Sequence, residues 1–194
     1  MQYNFERIKV LITSACNSNC THCFRSSDKN TKEISWEKLK EIVDFGIENN
    51  CKQFSFSGGE FFTHPSAYEL IEYCLLKNVR ISILTNALRM NMPFFEKVKN
   101  KEMLSFQISI DGLREKHDLR RGIGSFDKTM ANVKQLYELG FTLSAKTALD
   151  ENNYTDIAEI FQMPWFSNVL VLPVAFSARE QKNQSASIEY KKFE

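Results

Sequence analysis

Ile8-Lys-Val-Leu-Ile-Thr-Ser-Ala-Cys16-Asn-Ser-Asn-Cys20-Thr-His-Cys23 is the stretch on which the reading of the fold turns. The apolar run Ile8-Lys-Val-Leu-Ile-Thr13 has the composition of a strand, and the three thiols sit on the loop that leaves it. Thiolates bind iron and zinc well, so at this spacing the three can converge on one soft metal centre. A cubane cluster has four irons and this loop offers three sulfurs, which leaves one iron open to a substrate or a further ligand. Three plainer readings compete. Zinc could take the thiolates with His22, His64 or His117, although zinc modules usually show two ligand pairs rather than one compact triplet. An electron-transfer cluster could draw a remote fourth ligand from Cys51 or Cys74. A disulfide framework fits poorly, because five cysteines in 194 residues are sparse and odd in number.

Composition narrows the class further. A chain of 194 residues that is 43% hydrophobic can build one domain with a substantial core, and two would be cramped. With 25 basic and 24 acidic residues and no long run of either sign, neither nucleic acid nor an anionic membrane surface is an expected partner. The N-terminal Met1-Gln-Tyr-Asn-Phe-Glu-Arg7 lacks the basic-then-apolar order of a signal peptide. No apolar stretch approaches the roughly 20 residues that span a bilayer. A reduced, cytoplasmic protein is expected. The sixteen phenylalanines are read as core packing.

Strands and helices alternate along the chain. Ser35 is placed to cap a helix with Ile34 and Leu39 as a hydrophobic staple, and Trp36, Leu39, Val43 and Ile47 form its apolar stripe. Residues 51–57 read as a strand running into Ser57-Gly58-Gly59-Glu60. Pro65 then fits the first turn of a helix burying Ala67, Leu70, Ile71, Cys74 and Leu75. A strand over 80–85, a helix over 91–101 and a strand over 104–109 follow, ending at Asp111-Gly112. Residues 113–121 read as a charged connection, and Ser125 as the cap of a helix with Phe126, Met130, Val133 and Tyr137 on one face, closed by Gly140. A strand over 141–148, a helix over 153–162 with Ile157, Ile160 and Phe161 inward, and a nearly all-apolar strand over 168–172 complete the pattern. Six strands joined by helical crossovers require parallel pairing, and right-handed crossovers curl such a sheet. The expected fold is an α/β, open (β/α)6 partial TIM barrel with a parallel sheet. A flat doubly wound sheet has the same periodicity. The domain is expected to span residues 1–176, with a polar tail over 177–194.

Ligands in parallel α/β folds bind beyond the carboxyl ends of the strands. The cysteine loop, Gly58-Gly59-Glu60, Thr85-Asn86 and Ser109-x-Asp111-Gly112 all fall there, so four distant motifs share one rim. Paired glycines let backbone carbonyls approach an amino-acid ammonium, and a tight turn would carry the same letters. Lys146 could face this rim or be solvated.

Cys-x3-Cys-x2-Cys followed by an aromatic, Phe24, resembles the signature of the radical S-adenosylmethionine enzymes, over roughly residues 8–175. The resemblance implies a 4Fe-4S cluster on Cys16, Cys20 and Cys23, and S-adenosyl-L-methionine (SAM) bound through Gly58, Gly59, Glu60, Asn86, Ser109, Asp111 and Arg121, with Phe24 beside it. The family turn usually continues with proline where this chain has Phe61, and Ala87 stands where many relatives have glycine. Ser109 resembles the serine that reaches the SAM carboxylate or ribose. Arg121, in Arg-Gly-x-Gly-Ser-Phe, resembles an arginine that pairs with the carboxylate, a task its bidentate fork suits. A solvated loop charge is the alternative for Arg121. The motif order is most similar to the peptide- and protein-modifying, SPASM-type branch, which implies a peptide or protein substrate and an external flavodoxin- or ferredoxin-like electron donor. That branch also implies a cysteine-rich C-terminal domain, which the sequence to Glu194 does not contain. The competing expectation is therefore a truncated or repurposed cluster- and SAM-binding protein that acts through a partner without turnover.

Overall fold

The computed structural model describes residues 3–23 and 31–174. Phe24 and the tail from residue 177 lie outside the described residues. The described residues hold six strands, β1 (Ile8–Leu11), β2 (Gln53–Ser57), β3 (Arg80–Thr85), β4 (Leu104–Ser109), β5 (Thr142–Leu149) and β6 (Asn168–Pro173). They form one sheet in sequence order, and every pair is parallel. A doubly wound sheet reverses direction at a switch point, and this one does not. The helices are α1 (Trp36–Glu48), α2 (Ala67–Leu76), α3 (Met92–Lys97), α4 (Arg114–Arg121), α5 (Ser125–Glu138) and α6 (Ile157–Gln162). No described helix is long and apolar enough to cross a membrane.

Strand alternation sorts the two faces. Val10, Phe56, Ile83, Phe106 and Leu143 stand in one register row and are buried against the helices. Their neighbours along the strands point the other way, giving the rows Lys9-Ser55-Ser82-Ser105 and Leu84-Gln107-Ser144. A parallel sheet covered on both sides would read as continuous apolar runs; here the other face is mixed, with Leu11 and Leu84 set among serines, Lys9 and Gln107. Rings dominate that side: Phe95 meets Phe106 edge-on at 5.3 Å, and Phe106 meets Phe141 at 5.5 Å.

Ser35 caps α1 as expected, accepting from the Lys38 amide at 3.3 Å. Leu39, Val43 and Gly46 form the buried face of α1, and Gly46 lies under Phe54 so closely that a Cβ would sit 2.3 Å from its ring. Ile47, by contrast, is 37% exposed. Four further expectations are corrected. Residues 113–121 hold helix α4, whose buried side chains are His117 and Arg120, so no apolar periodicity announces it. Ser125 is the first residue of α5 rather than its cap: Asp118, from α4, accepts from the Gly124 and Phe126 amides, each at 2.8 Å, and from the Ser125 hydroxyl. The 91–101 helix is shorter, α3 being followed by a separate 3-10 turn over Lys101–Met103. Finally, Tyr137 and Phe161 face solvent. So does part of β6, where Leu170 and Leu172 are 41% and 40% exposed because this edge strand has no outer neighbour among the described residues.

Candidate active site

The cysteine loop is built by extending the β1–β2 ladder past the strand ends. Ile12 N–H donates to the Ser57 carbonyl, Gly59 N–H to Thr13 and Glu60 N–H to Ala15, each at 2.8 Å. This approach explains the paired glycines. A Cβ on Gly58 would lie 2.7 Å from the Thr13 oxygen, and one on Gly59 2.2 Å from that of Ala15. Two further elements hold the same loop. The Asn86 amide, after β3, donates to Asn17 Oδ1 at 2.8 Å and to Ser18 Oγ at 3.2 Å. At the C-terminus of α4, the Arg120 carbonyl accepts from the Thr21 amide at 3.0 Å.

The loop borders a cavity of about 400 Å³ at the carboxyl ends of the strands. Cys16, Cys20, Cys23, Gly58, Gly59, Glu60, Asn86, Ser109 and Arg121 all line it. The four motifs therefore share one rim, as the topology required. Asp111 does not line it and lies beneath, fully buried.

Arg121 is not a solvated loop charge. It ends α4, its side chain is 12% exposed, and Nε donates to Asp111 Oδ2 at 2.6 Å. Its Nη1 donates to Cys20 Sγ at 4.0 Å. Burial by itself would raise the Asp111 carboxyl, but Arg121, His22 at 3.3 Å and the Ala148 amide at 2.9 Å outweigh it and hold the group below the usual carboxylate range. Burial would weaken the charge on Arg121, and Asp111 with Cys20 more than restores it. Glu60 is also spent internally: it accepts from Thr85 Oγ1 at 2.5 Å, the Asn86 amide at 2.7 Å and the Phe62 amide at 3.3 Å. Burial nonetheless pushes its carboxyl up. Glu60 thus braces the end of β3, and Asp111 braces Arg121.

The donor set suits a thiolate-bound cluster. Burial raises the Cys16 and Cys20 thiols, and the Arg121 guanidinium offsets part of this at Cys20, where it favours the thiolate a metal needs. Other ligands are engaged elsewhere. His64 pairs with the Ile34 carbonyl at 2.9 Å and accepts from the Ser66 amide, and His117 Nδ1 accepts from the Asp111 amide at 3.3 Å. Cys51 donates to the Gln53 carbonyl. Cys74 is buried on α2 with its thiol pushed up to about 12 by burial. Among the described residues no three Cys, His, Asp or Glu side chains converge on a single-ion site. The three thiols instead border one cavity, as a multi-iron body with one thiolate per iron requires.

Sequence reasoning passed over Asn153 and left Ala87 and Lys146 without an assigned role. Ala87 sits buried at φ 56°, a left-handed conformation that costs an alanine about 1 kcal/mol, at the place where the resemblance has glycine. Asn153, fully buried, donates to the carbonyls of Asp111 and Ala148, and nothing in its local sequence marks it. Lys146 does line the cavity, half-buried, rather than standing free in solvent.

The chain is 32% identical over 155 residues to the antilisterial bacteriocin subtilosin biosynthesis protein AlbA of Bacillus subtilis, covering 78% of this chain and 35% of AlbA. It is 28% identical over 156 residues to the AdoMet-dependent heme synthase of Methanosarcina barkeri, covering 78% of this chain and 45% of that protein. It superposes on Streptococcus suis SuiB bound to S-adenosylmethionine with a TM-score of 0.79 at 16% identity, covering 90% of this chain and 42% of SuiB. That superposition establishes the partial-barrel fold. The chain spans between about a third and a half of the length of these relatives. The model of the radical SAM superfamily matches residues 10–163, and with it the chain belongs to that superfamily, whose cofactors are a 4Fe-4S cluster and SAM.

Proposed function

We propose that Cys16, Cys20 and Cys23 hold the cluster, that SAM occupies the rim between Gly58-Gly59 and Arg121, and that the substrate is a peptide or protein segment. The observation that carries this reading is the shared cavity: three thiols, a close-approach glycine turn and a charged Arg121 border it together. A cluster held by Cys16, Cys20 and Cys23 would supply, when reduced, the single electron for reductive cleavage of SAM and so the means of hydrogen-atom abstraction from a substrate. The chain's own groups bind and orient. Arg121, fixed through Nε by Asp111, turns its remaining N–H groups to the SAM carboxylate, with the Ser109 hydroxyl beside it. The carbonyls of the Gly58-Gly59 turn receive the ammonium. An external flavodoxin- or ferredoxin-like donor delivers the electron, and the exposure of Cys16 is compatible with its approach from that side.

Likeness to AlbA and to SuiB, one structure of which is bound to its precursor peptide SuiA, supports the peptide. Likeness to the heme synthase favours a second reading, a tetrapyrrole substrate. Cys51 and Cys74 are too few for another cluster in these 194 residues, so chemistry that needs one would draw on ligands from outside them.

Anaerobic reconstitution with iron and sulfide, followed by SAM cleavage under dithionite, tests the reading. About four irons per chain and release of 5′-deoxyadenosine are expected. Iron loading without cleavage would return the chain to a passive cluster- and SAM-binding role, and a reproducible content near eight irons per chain would overturn the single-cluster mechanism.

A further inference from the structure

We propose that Lys146 is a substrate-recognition residue that binds an alkyl carboxylate on the concave face of the sheet, beside the cofactor cavity. The inference deepens the function proposed above and rests on it for the identity of the cavity.

Placement comes first. Lys146 stands on β5 in register with Ser109 on β4 and Leu170 on β6, on the polar face rather than the helical one. It lines the same cavity as the three cysteines and Arg121. Charge comes second. The carboxylate among the cavity walls, Glu60, is committed to Thr85, Asn86 and Phe62, and Asp111 beneath is committed to Arg121, His22 and the Ala148 amide. Among the described residues Lys146 has no ion-pair partner. Burial, Lys9 and Arg121 all act against its ammonium. A half-buried cation facing like charges gains nothing for the folded chain, and an anion arriving in the cavity would relieve it.

SAM is a poor candidate for that anion. It carries one carboxylate, placed above at Arg121 and Ser109, and its ammonium and sulfonium repel a lysine. The Cys16, Cys20 and Cys23 thiolates on the same wall are committed to the cluster in the function proposed above, so the anion belongs to the substrate. Leu11, Leu84, Leu172 and Val174 give the wall an apolar stretch among its serines and threonines, so the fitting group is a carboxylate at the end of an aliphatic arm. A glutamate side chain in a peptide and a tetrapyrrole propionate share that chemistry.

Two probe pairs separate those sources, each titrated calorimetrically into the anaerobically reconstituted full chain with SAM present. One pair is a capped Leu-Glu-Leu tripeptide and its Leu-Gln-Leu counterpart; the other is coproporphyrin III and its tetramethyl ester. The charged member of one pair should bind about tenfold tighter than its neutral partner, and the pair that discriminates names the source. Lys146→Met should erase the difference, and Lys146→Arg should keep most of it, which separates charge recognition from a folding defect. Absence of discrimination in both pairs, including failure of all four probes to bind, would overturn the proposal, as would full discrimination in Lys146→Met. SAM cleavage by the unaltered chain is measured in parallel. Its failure would refute the proposed catalysis and leave the carboxylate result standing.

Discussion

Gly59→Ala would place a methyl group 2.2 Å from the Ala15 carbonyl oxygen and 2.6 Å from that of Ser14. Both neighbours are backbone, so no side chain can swing away, and the two segments must part by about 1 Å to restore ordinary contact. That displacement stretches the Gly59-to-Thr13 and Glu60-to-Ala15 hydrogen bonds, each 2.8 Å, beyond useful length. At about 1 kcal/mol per bond the apo chain should lose about 2 kcal/mol. With a urea slope of about 2 kcal/mol/M, the unfolding midpoint should fall by about 1 M. The thermal midpoint should fall by about 4 to 8 °C. Because the displaced segment leads directly into Cys16, iron content after reconstitution should drop with it. Chemical denaturation followed by circular dichroism, alongside iron analysis, reads both effects. A variant with the wild-type midpoint and full iron loading would refute the view that these glycines exist to seat the cysteine loop.

Cys20→Ala should abolish the visible charge-transfer absorbance of a reconstituted sample, while Cys74→Ala should retain it; equal loss from both would sink the ligand assignment. Arg121→Ala should weaken SAM binding by about tenfold or more in an equilibrium titration. It should also destabilise the apo chain by about 3 kcal/mol, because Asp111 is left charged and buried; adding Asp111→Asn should recover stability but not SAM affinity. An unchanged SAM dissociation constant would remove Arg121 from the binding site. His117 is held neutral, its pKa lowered from 6.5 to about 4 by burial and then by Arg121. The unfolded chain takes up this proton first, so the stabilisation is complete above pH 6.5 and is lost as pH falls toward 4. Between pH 7 and 5 the loss should be about 2 kcal/mol. Urea midpoints at the two pH values should shift more in the wild type than in His117→Gln, and equal shifts would exclude His117 as the cause.

The six strands, their parallel order and the gathering of the cysteine loop, Gly58-Gly59, Asn86 and Ser109 at one rim were legible in the sequence. Most of the strands alternate apolar and polar residues over a few positions, the sixth reads as a short apolar run, and a parallel α/β sheet brings its strand ends together. The cysteine spacing was legible for the same reason, being local. What escaped depends on partners far along the chain. α4 was hidden because its buried face is His117 and Arg120, which tertiary contacts with Asp111, Ala148 and Asp150 make tolerable. Glu60 and Asp111 read as cofactor contacts, and only the structure shows them bracing Thr85, Asn86 and Arg121. Asn86 reaches Asn17 across 69 positions, and Arg121 reaches Cys20 across 101. Residue type and local period determined which groups this chain brings to its rim. Which of them face the cavity, and which are spent holding the others, was decided by the tertiary structure, because the burial and pairing of a charge depend on neighbours that no local window contains.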